Sequence, residues 1–495
     1  MNDQELQAQN AAHLRALELS QKENQELKTK VASLQGQMQQ LLKLIQGFKS
    51  ERFVTQTSNH AQLELFAPVE APTELPQQEE ISYTRNKKKH PGRHALPENL
   101  PVREEIIEPA QDTSGMDKIG EEVIETLEYT PASLVKRRVI RPKYKKKETS
   151  QIIIGELPER PLDKCIAEAS LLAYIIMRKY VEHMPFYRQI QGFTRDFGWN
   201  PAASTLSDWM RECAILLEPL YNVLKQKILE SGYIQVDESP IKVLDKDKKG
   251  SAHQGYQWVY HDPVHKLVLF NYNKGRGQNG PKQLLSDYQG ILQCDGYSVY
   301  DNIGAQPGIV LAGCLVHARR KFFDAKDSDP IRAEQALKWF KEIYTIERDI
   351  KENTQDFDLR KQQRNQRIKP ILQRIRNWIE ENSLEVLPKS AIGKAMTYFI
   401  RQYPKLENAL IDGRIELDNN KIENSIRPMA LSRKNFLFCG SHRAAQHAAI
   451  FLSFFGSCKL HGVNPRVWLE EMLSNIKDYK INDLEELLPG YQNES

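Results

Sequence analysis

The chain is poor in the features that would tie it to an oxidising compartment, a membrane or a thiolate metal centre. It has six cysteines in 495 residues, at 165, 213, 294, 314, 439 and 458, and no two form a C-x-x-C pair. That speaks against a disulfide framework and against a thiolate zinc site, and it points to a cytosolic protein with reduced thiols. No apolar run approaches the ~18–20 residues of a membrane span; the longest lies near AAIFLSFFGSC (448–458). The first residues, MNDQELQAQN, are polar, so no signal peptide is expected. Net charge is small, +4, but its distribution is uneven. RNKKKHPGRH (85–94) holds five Lys/Arg and KRRVIRPKYKKK (136–147) holds eight, with no acid in either. Such clusters suit a polyphosphate partner and salt-dependent binding, the alternative being a solvated charged stretch.

A chain of 495 residues is too long for one core, so several domains are expected. Residues 5–46 carry a heptad seam through Leu27, Val31, Leu34, Met38, Leu41 and Ile45, with Asn24 at an a position. That pattern predicts a coiled coil over 1–49 that joins protomers, one a-position Asn fixing register. Residues 50–84 read as a linker. Residues 85–160 read as a small basic β-rich module with a turn near Thr130–Pro131.

Residues 161–230 are predicted helical. PFYRQIQGFTRDF (185–197), a break at GWNPAA, and STLSDWM opening a second helix behind a Ser204 cap give the shape of a helix-turn-helix. The second helix would offer Thr205, Ser207, Asp208 and Arg211 to a DNA groove, although helical hairpins are common and most bind nothing. From 233 the pattern turns to strands: YIQVDES, YQWVYHD (256–262), KLVLFNYN (266–273), GILQCDGYSVY (290–300) and IVLAGCLVH (309–317). Strands followed by helices predict a mixed α/β core over 231–456, with a helical insertion at 331–415 and a helical C-terminal region at 457–495.

Three acids in that core are candidates for a shared site. Asp237 follows Ile234 and Val236 and is read as ending a buried strand; Asp295 follows Ile291 and Leu292 in the same way, before Gly296. Glu423 falls in a helix beginning near Asp418 or Asn419. Carboxylates at buried strand ends are costly unless a positive charge meets them, and hard divalent cations prefer such oxygens. Two strand-end aspartates and a helical glutamate suit two-metal phosphoryl transfer. Competing readings are that these acids are ordinary caps, that Glu423 pairs with Arg427 at i+4, and that Glu238 takes the place of Asp237. His317, Arg319, Arg320 and Lys321 after the fifth strand, and Arg427, Arg433 and Lys434 past Glu423, are candidates to hold a phosphodiester. Cys314 and His317, spaced C-x-x-H, supply only two ligands and do not make a zinc site.

YIQVDESPIKVLD, LQCDGYSVYD, GCLVHARRKFFD, LDNNKIENSIRPMALSRKNFLFCGS and FFGSCKLHGVNPRVWLEEML together resemble the insertion sequence 66 family of bacterial DDE transposases. The resemblance extends to HPGRHALPENLP and KYVEHMPFYRQIQ…STLSDWM, and so covers nearly the whole chain. It implies a ribonuclease-H-like core in which Asp237, Asp295 and Glu423 bind two Mg²⁺ ions, with Mn²⁺ able to substitute. The implied activity is binding of the element's ends, strand cleavage and strand transfer into target DNA. His317, Arg320 and Arg427 would position phosphates, the coiled coil would pair protomers, and small accessory proteins of the same element are further expected partners. The expected location is the bacterial cytoplasm, at the nucleoid, with no membrane contact. An inert DNA-binding descendant of a transposase and a nuclease of the same fold are the alternatives. One departure stands out. Family members carry two C-x-x-C pairs in a zinc module, whereas the matching stretches here read EPAQDTSGMDKIGEE and RPKYKKKETSQ. The module is therefore expected to fold without zinc and to keep a DNA-contacting basic face through Arg137, Arg138, Lys145 and Lys146.

Overall fold

The computed structural model describes residues 30, 133–140, 143–145, 152–154, 159–163, 165–245 and 252–491. The expected coiled coil, apart from a helical Lys30, the linker and most of the basic module lie outside the described residues. Of that module, β1 (Lys143–Lys145) and β2 (Ile152–Ile154) form a short antiparallel pair.

The described chain combines a helical region with a mixed α/β core. Helices α1 (Ala169–Tyr180), α2 (Phe186–Phe197) and α3 (Ala203–Glu230) come first. Gly198, at φ 65°, ends α2 in the left-handed conformation that glycine adopts without strain. The second helix of this helix-turn-helix-like pair starts earlier than the sequence suggests. Its cap position is Ala202, with no side-chain capping bond, and Ser204 sits inside the first turn.

Five strands follow: β3 (Tyr233–Leu244), β4 (Ala252–Asp262), β5 (Leu267–Asn273), β6 (Gly290–Gln293) and β7 (Ile309–Ala312), in the spatial order β5-β4-β3-β6-β7. β3, β6 and β7 run parallel, and β4 is antiparallel to both β3 and β5. The side-chain alternation of a strand decides which face each residue serves. Ile234, Val236 and Leu292 pack in one core with Leu217, Leu220 and Phe454, whereas Tyr233, Ile291 and Ala312 pack in a second with Phe322, Phe399 and Tyr403. The sheet therefore separates two cores. An edge strand exposes unpaired N–H groups; at β5 those of Phe270 and Val268 donate to Ser453 and Ser457 on the helix α12 (His442–His461), at 2.7 and 3.0 Å.

The second core is roofed by α6 (Leu315–Asp324), α7 (Pro330–Asn353), α8 (Phe357–Arg367), α9 (Lys369–Asn382) and α10 (Ala391–Asn408), after the short α4 (Asn279–Leu284) and α5 (Ser298–Gly304). Helix α11 (Asn420–Asn435) follows the insertion, and α13 (Pro465–Asn475) follows α12. Two strands are shorter than their sequences suggest. β6 stops at Gln293, and the Tyr297 N–H donates to Asp295 Oδ1 at 2.9 Å, turning the chain into α5. β7 stops at Ala312, and α6 begins at Leu315. β3 errs the other way. It runs seven residues beyond Asp237, to Leu244, because β4 pairs with it along that whole length.

Candidate active site

Asp237 and Asp295 are brought together by strand register. β3 pairs with β6 at Tyr233–Ile291, Ile234–Leu292 and Gln235–Gln293, and there the pairing ends. Each aspartate lies two residues past the last pair, on the face that carries Gln235 and Gln293. Glu423 joins them from the first turn of α11, where the positive end of the helix dipole favours a carboxylate. Its Oε1 lies 3.8 Å from His317 Nε2, so the side chain it faces is His317 on α6 and not Arg427. The His317 Nδ1 is buried without a partner.

The electrostatics register this convergence. Burial pushes the Asp237 carboxyl up to about 7; the carboxylates of Glu238, Asp295 and Glu423 add to the rise, and the hydrogen bond from the Glu238 N–H, 2.8 Å, opposes it. Burial also lowers the His317 pKa, against the pull of Asp295 and Glu423. Glu238 is engaged elsewhere. It leaves β3 on the opposite face, where Arg276 donates to it at 2.7 Å and the Tyr300 hydroxyl at 2.7 Å.

A buried polar lattice lies beneath the acids. Gln235 and Gln293, both fully buried, are linked by a 2.9 Å amide bond, and Gln293 Oε1 also accepts from the Tyr233 hydroxyl at 2.6 Å. Gln235 donates to the Asp418 carbonyl at 3.1 Å, Gln293 donates to the Glu416 carbonyl at 2.7 Å, and the Glu416 N–H donates to Tyr233 Oη at 2.9 Å. The strands that carry the two aspartates thus grip the segment leading into α11 and Glu423. The Cys314 thiol donates to Asn419 Oδ1 at 2.8 Å.

The oxygen-only donor set suits a hard divalent cation, and the main influences on Asp237 from other side chains come from further carboxylates, with no cation among them. Among the described residues, no three His, Cys, Asp or Glu side chains are gathered tightly enough to hold an ion in their present rotamers. The acids fit the group in charge and chemistry, with Glu423 turned toward His317.

Arg319 and Arg320 are exposed on α6, as are Arg427 and, in its last turn, Lys434 on α11. Arg433 is partly buried and donates to the Pro240 carbonyl at 2.7 Å. In the helical region Thr205 is partly buried and Ser207 exposed, while Arg211 is engaged by Asp208 at 2.8 Å and Glu212 at 3.0 Å. Arg137 and Arg138 are exposed in the irregular segment 133–140; Lys145 is described only as part of β1, and Lys146 lies outside the described residues.

Sequence reasoning passed over Tyr398, Gln235 and Gln293. Tyr398 on α10 abuts the Asp295 turn so closely that a Cβ on Gly296 would stand 2.8 Å from its ring. Gly296 is therefore required for space, not for a special φ. The two glutamines had a signal available: each stands two residues before a candidate aspartate.

All six cysteines are free thiols, and among the described residues no helix is long and apolar enough to cross a membrane. Residues 164–447 match the family described as "Transposase IS66 family", residues 453–489 match "IS66 C-terminal element", and residues 33–106 match "Transposase C of IS166 homeodomain". The last match lies N-terminal to the helix-turn-helix-like pair, wholly outside the described residues. Three proteins of Sinorhizobium fredii (strain NBRC 101917 / NGR234) are similar along nearly their full lengths, each described as an uncharacterized protein. The one designated y4jD is 30% identical over 94% of this chain and 95% of its own; y4qI is 29% identical over 97% and 92%; y4hP is 27% identical over 93% and 88%. Matched to the family over more than half its length, and to a relative along nearly all of both sequences, this chain belongs to the IS66 family of transposases.

Proposed function

We propose that this transposase binds the ends of its own element and carries out metal-dependent cleavage and joining of DNA strands, with Asp237, Asp295 and Glu423 as the metal-binding acids. The observation that carries the reading is the shared register of Asp237 and Asp295 beside Glu423, with further carboxylates and no cation among the main side-chain influences on Asp237. The strand order β5-β4-β3-β6-β7, with only β4 reversed, supports a ribonuclease-H-like core. Two Mg²⁺ ions bound there would neutralise the attacking and leaving oxygens of an in-line displacement.

The chain's own residues do the rest. Asp237 and Asp295 are held by the sheet, and Glu423 completes the set by turning from His317 toward them. His317 lies at the edge of the site, where burial lowers its pKa. Arg319, Arg320 and Arg427 offer charge to the phosphates on either side of the reacting one, and Arg433 and Lys434, further along α11, to phosphates beyond them. In cleavage, a water oxygen bonds to phosphorus as the bond to the element's 3′ oxygen breaks, leaving a 3′-OH. In joining, that hydroxyl attacks a target phosphate and displaces another 3′ oxygen. End recognition draws on the homeodomain-type region at 33–106, the helix-turn-helix-like pair including Thr205, Ser207 and Arg211, and the basic residues Arg137, Arg138, Lys145 and Lys146. Pairing of protomers through residues 5–46 would bring two ends together.

Asp295→Asn tests the assignment of the acids. Cleavage of an end-containing duplex should fall by at least about a thousandfold, while gel-shift affinity for the same duplex in EDTA stays near wild type. Wild-type cleavage by the variant would overturn the assignment.

A further inference from the structure

A cleft of about 480 Å³ lies between the helical region and the C-terminal end of α11. Its walls come from α1, α2, α3, α11, α12, Ile241 of β3 and the loop 436–441. That loop is fastened to the far end of β3: the Leu244 N–H donates to the Cys439 carbonyl and the Cys439 N–H to the Lys242 carbonyl, both at 2.8 Å. The extension of β3 past Asp237 thus ties the cleft to the strand that carries the first acid.

The lining includes two cations, Lys179 and Arg433, and neither Asp nor Glu. The Lys179 ammonium lies 4.0 Å from the centroid of the Phe186 ring and 4.9 Å from that of Phe436, and among the described residues no carboxylate pairs with it. Arg433 donates to the Pro240 carbonyl and, among the described residues, forms no ion pair. Burial pushes the Lys179 pKa down to about 8 and lowers that of Arg433. Desolvated cations without an anion are costly, and ring faces return only part of what hydration supplied. The remaining surface is largely apolar, with Ile241, Met429, Phe436 and Phe438 among it. At the mouth, Leu437 is held at φ 43° and is 65% exposed, a strained conformation for a side chain of that size.

Aromatic and apolar walls, two unpaired cations and no acid make a receptor for something flat that carries negative charge. The volume falls within the range of about 300–1,000 Å³ usual for ligand pockets. We infer that this cleft holds one unpaired nucleotide of the DNA strand, its phosphate between Lys179 and Arg433 and its base against Phe436 and the neighbouring apolar wall. The inference rests on the DNA-processing reading above and extends it to a strand-holding site. Glu423 and Arg433 are ten residues apart on one helix, or about 15 Å along its axis. That separation places the nucleotide a few positions along the strand from the reacting phosphate.

The test uses the full chain in EDTA and compares two duplexes of one sequence, one blunt and one with a short unpaired tail containing 2-aminopurine. Base stacking contributes about 1–3 kcal/mol per base, so wild type should bind the tailed duplex at least about fivefold more tightly and change the 2-aminopurine fluorescence. In Lys179→Met that ratio should fall to about one. Arg433→Gln serves as a second variant, with melting curves confirming that each is folded. Free dAMP as competitor separates the sources: erasing the tail preference marks a site for any nucleotide, and persistence of the preference marks one that needs the continuous strand. No tail preference in wild type, or an undiminished preference in both folded variants, overturns the inference. Because no cleavage occurs in EDTA, this outcome is independent of the Asp295→Asn result.

Discussion

Asp237 and Asp295 stand side by side because each lies two residues beyond Gln235 and Gln293, the last register pair between two parallel strands. Past that pair the strands part: β3 continues along β4, and β6 gives way to the turn at Asp295. The two carboxylates occupy the opening, with the glutamine lattice below and Glu423 and His317 beside them. An opening of this kind holds negative charge without distorting the sheet, since the strands no longer need each other's hydrogen bonds there.

The first prediction concerns the cost of that charge when no cation is bound. An unfolded aspartate ionises near 3.8, whereas Asp237 in the folded chain ionises near 7. Between those values the unfolded chain has released a proton that the folded chain keeps, so stability falls as pH rises from about 4 to about 7 and stays reduced above. Asparagine carries no such penalty. In metal-free buffer at pH 8, Asp237→Asn should therefore be more stable than wild type by on the order of 2 kcal/mol, the shift being discounted for solvent screening. At pH 5 the gap should shrink to roughly two-fifths of its pH 8 value. Added Mg²⁺ should raise the Tm of wild type and leave the variant unmoved. Identical melting at both pH values would show that the acids do not crowd one another.

A second prediction concerns the lattice. Gln293→Leu removes the donor to the Glu416 carbonyl and the acceptor for the Tyr233 hydroxyl, stranding buried polar groups at a cost of about 2–4 kcal/mol. Because Gln293 also fixes the approach to α11, the Mg²⁺ concentration for half-maximal cleavage should rise by at least about tenfold in the folded variant. Urea unfolding and a Mg²⁺ titration measure the two effects separately. Lost stability with an unchanged Mg²⁺ requirement would assign the lattice to folding alone.

The three acids stand out as candidates because each aspartate follows apolar strand residues and Glu423 opens a helix. Their proximity was not readable from local pattern, since a spacing of 58 residues between Asp237 and Asp295 says nothing of register until two strands pair. The choice between Asp237 and Glu238 likewise waited on alternation across β3, which turns Glu238 to Arg276 and Tyr300. The length of β3 was missed because its pairing with β4 comes from residues further along the chain. Ser204 looked like a cap from its residue type, yet the chain enters α3 at Ala202 without a side-chain bond. The cleft at Lys179 was beyond local reading, since its walls come from segments more than two hundred residues apart.

The account's central claim is that Asp237, Asp295 and Glu423 form a cation-dependent site for cutting and joining DNA. A strand-transfer assay with a cloned element end, run with and without Mg²⁺, tests it most directly. With Mg²⁺, wild type should join the end to target DNA, and with EDTA or with Glu423→Gln no joined product should form. Joined product in EDTA, or undiminished product from Glu423→Gln, would contradict the claim.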